Sequence, residues 1–208
     1  MSRVLPILFN TEMVRAILDG RKTCTRRIVR PPYFVDGDEN DKRSLITLRT
    51  ATKNSSLYRQ IGQMPYPDAP YGMCDILYVR ETWCKGLERY IYRADYSDTE
   101  KFYRDGKEIE MKWHPSIHMP KEAARIWLRV TDVRVERLQE ITGQDVLKEG
   151  LNSHVHPQAS YFDGNQREMF ENLWNGTVKK SDLDRYGWDA SPWVWVIEFE
   201  RCEKSEGV

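Results

Sequence analysis

Between Ile17 and Arg30 the sequence reads ILDGRKTCTRRIVR, setting Arg21, Lys22, Arg26, Arg27 and Arg30 around Thr23, Cys24 and Thr25. Three chemistries suit such a run. It can be a solvated basic turn, whose cations complement the partial negative charge of a helix C-terminus. It can hold an anion, because the arginine fork matches phosphate oxygens. Or its lysine can serve as base to a threonine nucleophile, which requires a lysine pKa lowered from about 10.4 toward ~7–8 by burial or by cationic neighbours. Arg21, Arg26 and Arg27 are placed to supply that field. Lys22 and Thr25 are three residues apart, on opposite faces of a regular strand but on one side of an irregular turn. Both reach one ligand only if the RKTCT segment bends.

Other residues carry weaker signals. Glu81 belongs to the alternating set Leu77, Val79, Glu81, Trp83, where it either pairs across a sheet or faces a pocket and reads a base edge. Trp83, Tyr92 and Trp113 suit a core as well as a stacking platform for bases. His114 and His118 have an H-x3-H spacing, but Pro115 opposes the helix that a shared metal would need, and no metal is expected. Walker, Gly-x-Ser-x-Gly and Gly-x-Gly-x-x-Gly motifs are absent, and no cofactor is expected.

The elements that must position these residues are readable from periodicity. In FNTEMVRAILDG, Asn10 or Thr11 caps a helix with Met13 and Ile17 on its apolar stripe, and Gly20 ends it. DILYVRETW (Asp75 to Trp83) alternates as a strand, and RYIYRADY follows it across a hairpin. In ARIWLRVTDVRVERL the apolar parity switches from Ile126, Leu128 and Val130 to Val133 and Val135, which predicts a bulge near Thr131 and suits a barrel. Thr142 to Gly150 forms a short capped helix, and Met169, Phe170, Leu173 and Trp174 fall at helical spacing in a second one. WVWVIEFE (Trp193 to Glu200) is the last strand. Pro31 to Gly72 reads as an insertion between proline-rich borders, with SLITLRTA a strand pair or hairpin arm inside it. Asp36 to Ser44 and the terminal EKSEGV have little that could anchor them.

Composition bounds the function. The 208 residues carry 32 Lys plus Arg against 32 Asp plus Glu, so the chain is no polycationic coat for nucleic acid and any anion site is local. Four scattered cysteines form no Cys-x-x-Cys pair, and no apolar run resembles a leader or a membrane span. The expectation is a reduced, cytoplasmic protein with no membrane partner.

In order along the chain, AILDGRKTCTRR, DILYVRETW, YRAD, W-x-PSIHMP, RIWLRVTDVRVERLQEI and PWVWVIEFE resemble the ASCH domain family, whose fold is similar to the PUA domain. The resemblance covers most of the chain and is strongest to the longer members common in phage and prophage genomes. It departs in one turn: where the family usually has Gly-Asp before the Val-Arg-Glu strand, this chain has Cys74-Asp75. The resemblance implies an α+β fold built on a small twisted, mostly antiparallel barrel. It also implies one domain over residues 1–208, interrupted at 31–72 and by a helical excursion at 142–190.

One branch of the family removes the acetyl group from N(4)-acetylcytidine. Carried over, its catalytic set falls on Lys22, Thr25 and either Glu149 or the nearby Glu140, with Glu149 preferred. Arg21, Arg26, Arg27, Glu81, Trp83 and Tyr92 are the residues expected to contact substrate. The function expected is an amidohydrolase acting on an acylated cytidine or similar base. A non-catalytic module for RNA or single-stranded DNA is the alternative, and a ribonuclease the third.

Overall fold

The computed structural model describes residues 2–29, 69–86, 88–104, 106–151 and 163–204. Helix α1 (Thr11–Leu18) begins where the Asn10 side chain accepts the Met13 amide and buries Val14, Ala16 and Ile17. It ends at Gly20, whose φ of +76° suits a residue without Cβ. The Gly20 amide donates to the Ile17 carbonyl at 3.1 Å and the Arg21 amide to the Ala16 carbonyl at 2.9 Å, the paired closure of a glycine-terminated helix. The chain leaves this turn aimed at its second edge strand.

Strands β1 (Val4–Leu8), β2 (Cys24–Ile28), β3 (Ile76–Arg80), β8 (Trp127–Arg137) and β9 (Trp193–Cys202) form one sheet in the order β1-β3-β8-β9-β2. β1 and β3 run parallel, and the other neighbours are antiparallel. Two short hairpins lie outside it, β4 (Trp83–Lys85) with β5 (Tyr90–Tyr92) and β6 (Phe102–Arg104) with β7 (Lys107–Ile109). The architecture is α+β. No ladder joins β1 to β2 among the described residues, so the sheet bends without closing into a barrel there.

The bend falls where the parity switch predicts it. The register of β8 on β9 slips between Val130 and Asp132, leaving Thr131 exposed while Leu128, Val130, Val133 and Val135 stay buried. The extra residue lets one strand keep apolar side chains on the core face on both sides of the bulge. That core gathers Ile7, Phe9, Ile17, Leu77, Val79, Trp195, Ile197 and Phe199. A second core covers the opposite face of β9 and β2, where Val194, Val196 and Cys24 meet Phe170, Trp174 and Trp188. Its helices are the excursion between β8 and β9: α2 (Gly143–Lys148), α3 (Asp163–Thr177) and α4 (Leu183–Tyr186).

Two expected elements are shorter than their periodicity suggests. The run Asp75 to Trp83 splits into β3 and β4 at Glu81 and Thr82. Arg125 holds the Glu81 carboxylate, and the Thr82 carbonyl accepts the Arg93 amide at 2.9 Å. β5 stops at Tyr92 because Arg93–Asp95 closes into a 3-10 turn. Cys74, which stands where the resemblance expects glycine, has φ of +67°, a conformation that L side chains disfavour. Residues 31–68 of the expected insertion, its hairpin arm, Asp36 to Ser44, Arg30, residues 152–162 and residues 205–208 lie outside the described residues. No helix among the described residues is long and apolar enough to cross a membrane.

Candidate active site

The site is assembled by two glycine-terminated helix ends. α2 is capped at its start by Thr142, whose hydroxyl accepts the Asp145 amide at 3.2 Å while the Asp145 carboxylate takes the Thr142 amide at 3.1 Å. It ends at Glu149, followed by Gly150 at φ +89°. A Cβ on Gly150 would lie 2.7 Å from the Ala16 Cβ and 2.8 Å from the Lys22 Cβ, so only glycine lets the two turns touch. Lys22 and Glu149 then form an isolated antiparallel bridge, and the Thr23 amide donates to the Lys148 carbonyl at 2.8 Å. Residues 127 apart in sequence meet side by side.

The Lys22 ammonium is buried and spends all three N–H bonds: on the Cys24 carbonyl (2.7 Å), the Glu149 carbonyl (2.9 Å) and Glu149 Oε2 (2.6 Å). The other oxygen of Glu149 accepts Arg26 Nη1 at 3.2 Å. Arg26 Nη2 lies 3.6 Å from Glu136 Oε2 and 3.7 Å from Asp145 Oδ2, close enough for Coulombic attraction but beyond hydrogen-bond length. Nε and Nη2 of Arg26 are buried with no hydrogen-bond partner among the described residues. Beyond them Arg134 joins Glu136, Asp132 and Glu198. Burial raises the Asp145 carboxyl, but the hydrogen bonds from Thr142 and the charges of Arg26 and Arg134 outweigh it and hold the group below its ordinary value. Burial pushes the Cys24 thiol up to about 12, with Glu149 adding to the rise, so Cys24 is no nucleophile here.

A cavity of about 230 Å³ opens onto this cluster. Lys22, Thr25, Arg26 and Glu149 line its polar side. Leu8, Phe9, Asn10 and Met13 form a second wall, and Phe170, Leu173, Trp174 and Thr177 of α3 a third. It occupies the seam between β1 and β2 that the sheet leaves open. Thr25 is 4% exposed, and its hydroxyl makes no hydrogen bond among the described residues. The bend expected within RKTCT is not there: the turn is at Asp19 and Gly20, Lys22 sits in its bridge and β2 starts at Cys24, yet Lys22 and Thr25 both line the cavity.

The other expected contacts are distributed elsewhere. Arg27 lines the cavity and ties the seam by donating Nη2 to the Leu8 carbonyl at 2.9 Å. Arg21 braces the helix ends, donating to the Gly150 carbonyl and to Asp19. Glu140 accepts the Arg137 amide in a local cap, whereas Glu149 is the carboxylate beside Lys22. Glu81, Trp83 and Tyr92 lie outside the cavity lining. Glu81 receives a two-pronged bond from Arg125 at 2.9 and 3.0 Å, and that guanidinium sits 4.0 Å over the Tyr92 ring and donates to Asp95. Trp83 packs on Tyr90 and His114. Sequence reasoning missed Glu136 and the cavity role of α3, whose aromatic spacing reads equally well as core. Among the described residues no cluster of three or more His, Cys, Asp or Glu could hold a metal ion.

No family model, curated protein or solved structure matches this chain.

Proposed function

We propose that the seam cavity is the active site of an amidohydrolase that removes an acyl group from the exocyclic amine of a cytidine-like base, in a chain related to the ASCH family. One observation carries the reading: Lys22, Thr25 and Glu149, onto which the ASCH resemblance carries its catalytic set, line one small buried cavity. About 230 Å³ lies below the usual 300–1,000 Å³ of ligand clefts, which suits a single ring over a larger ligand. Two further features support the reading: a left-handed turn at Cys74, where the resemblance expects glycine, and the bulge in β8, which suits a strand bent toward a barrel. In this reading the open β1/β2 seam is the mouth of a PUA-like barrel.

The chemistry follows from the contacts. A lysine donating three hydrogen bonds has no lone pair to accept a proton. To act as base, Lys22 first passes a proton to Glu149 across the 2.6 Å contact, and the neutral amine then takes the Thr25 hydroxyl proton. Thr25 Oγ1 bonds to the acyl carbon, the C–N bond breaks, and the leaving amine takes the proton back from Lys22. Water hydrolyses the resulting ester by the reverse relay. The rival reading, a binding module, draws on the same commitment of Lys22 to three oxygens, which also suits a purely structural ammonium. A chromatographic assay on a panel of acylated nucleosides separates them. The amidohydrolase releases the free amine from the N(4)-acetylcytidine type at a rate insensitive to salt. No turnover on any member, with binding to single strands that weakens steeply as salt rises, supports the module instead.

A further inference from the structure

We infer that the main chain of Arg26, at the unpaired edge of β2, reads the ligand directly, and that its complement is a planar ring with an acceptor nitrogen beside an N–H. This is the amidine edge of an aminopyrimidine or of its N-acylated form. The inference rests on the cavity being a ligand site and is independent of hydrolysis.

The direction of the β2 main chain is fixed by its ends. The Val29 amide donates to the Trp193 carbonyl at 3.0 Å, and the Phe199 amide donates to the Thr23 carbonyl at 2.9 Å. Hydrogen-bonded and non-bonded pairs alternate along an antiparallel ladder, and the register of β2 on β9 is unbroken. Thr25 and Arg27 therefore bond to β9, while Cys24, Arg26 and Ile28 turn their N–H and C=O away from it. The Cys24 carbonyl has found a partner on that side in Lys22 Nζ, at 2.7 Å. Across the seam, the outward carbonyls of Pro6 and Leu8 on β1 are also taken, by the Tyr71 hydroxyl and by Arg27 Nη2, each at 2.9 Å. No hydrogen bond reaches the main chain of Arg26 among the described residues. A buried amide without a partner is rare in a folded chain unless a ligand supplies one.

The cavity meets that edge. Thr25, Arg26 and Arg27 are consecutive and all line it, although side chains of a strand alternate between faces. Their guanidinium groups do point apart, Arg27 lying over Phe9 at 5.5 Å and Arg26 over Phe170 at 6.0 Å. Three successive residues border one cavity only if it faces the strand edge-on. A strand residue with both N–H and C=O outward is half of a two-bond pair, and it matches any partner with an acceptor next to a donor. A peptide strand is one such partner, but the seam is tied across by Arg27 and holds about 230 Å³, too little for several residues. A flat ring between aromatic walls fits.

Nuclear magnetic resonance of the nitrogen-15-labelled full chain tests this with cytidine, N(4)-acetylcytidine and the 3-deaza analogue of each, in which a C–H replaces the ring acceptor. The natural probes should shift the Arg26 amide proton downfield and slow its exchange. The deaza analogues should bind about tenfold more weakly, the scale of one neutral hydrogen bond lost with its buried partner left unpaired. If the Thr25 amide and Trp174 indole respond while the Arg26 amide does not, and the deaza analogues bind equally, the edge assignment is wrong and the ligand site stands. If no cavity resonance responds to any probe, both are wrong.

Discussion

Two buried glutamates divide this molecule. Glu81, 1% exposed, receives both prongs of Arg125, which is itself shared with Asp95 and sits over the ring of Tyr92, whose hydroxyl is spent on the Ala123 carbonyl. The carboxylates, the guanidinium and the phenol of that cluster all have partners, the indole N–H of neighbouring Trp83 is buried without one among the described residues, and no described cavity opens on them. Glu149 is also buried and holds two cations, yet around it, among the described residues, two Arg26 side-chain nitrogens are buried without a hydrogen-bond partner and no hydrogen bond reaches the Thr25 hydroxyl or the Arg26 main chain. Buried charge alone therefore does not distinguish a site from a brace. The difference is whether the polar groups saturate one another or leave valences facing a cavity.

The comparison is open to attack from both sides. On the cavity side, Lys22→Ala and Lys22→Arg should each lower turnover on an acylated nucleoside by about 10²–10⁴-fold, because arginine keeps the charge but cannot accept a proton. Arginine that preserves ligand binding while alanine abolishes it would point to charge alone. On the brace side, Arg125→Ala should cost about 3 kcal/mol by leaving Glu81 buried without its partner, read by urea denaturation, with turnover unchanged at temperatures where the variant is folded.

Glu81 also has a pH signature. Burial raises its carboxyl above the ordinary 4.5 more than the Arg125 hydrogen bond and charge lower it. The folded state then holds the proton more tightly than the unfolded one. Its contribution to stability is full below 4.5 and lost as pH rises through the folded value. Glu81→Gln should remove that downward slope, seen as a flatter dependence of the urea midpoint on pH above 4.5. The smallest effect expected is a gain: Cys74→Gly relieves the positive φ and should stabilise by about 0.5–1 kcal/mol after the extra unfolded-state entropy of glycine is deducted.

The local elements were legible in the sequence because local rules set them. Asn10, Gly20, Thr142 and Gly150 cap and stop their helices where their residue types require, and the parity switch at Thr131 is the bulge itself. The strand break at Glu81 was not legible, since it depends on Arg125, 44 residues away. Nor was the distance between Glu81 and the basic turn, because alternation tells which face a residue takes and not which cavity lies under it. Lys22 and Thr25 could be paired from the sequence only by requiring a bend. Their meeting with Glu149 depends on Gly150 admitting Lys22 at a distance closed to any other residue. The open seam is a property of the sheet order and has no signature in any one strand.

Thr25→Val is the most direct test, because it deletes the spare hydroxyl and keeps the shape. With no hydrogen bond to lose among the described residues, the variant should melt within a few degrees of wild type, a change of no more than about 1 kcal/mol. Deacylation of N(4)-acetylcytidine should vanish in the same preparation while the nucleoside still binds. Full turnover in Thr25→Val would contradict the account, as would a loss of stability large enough to show that the hydroxyl was already satisfied inside the fold.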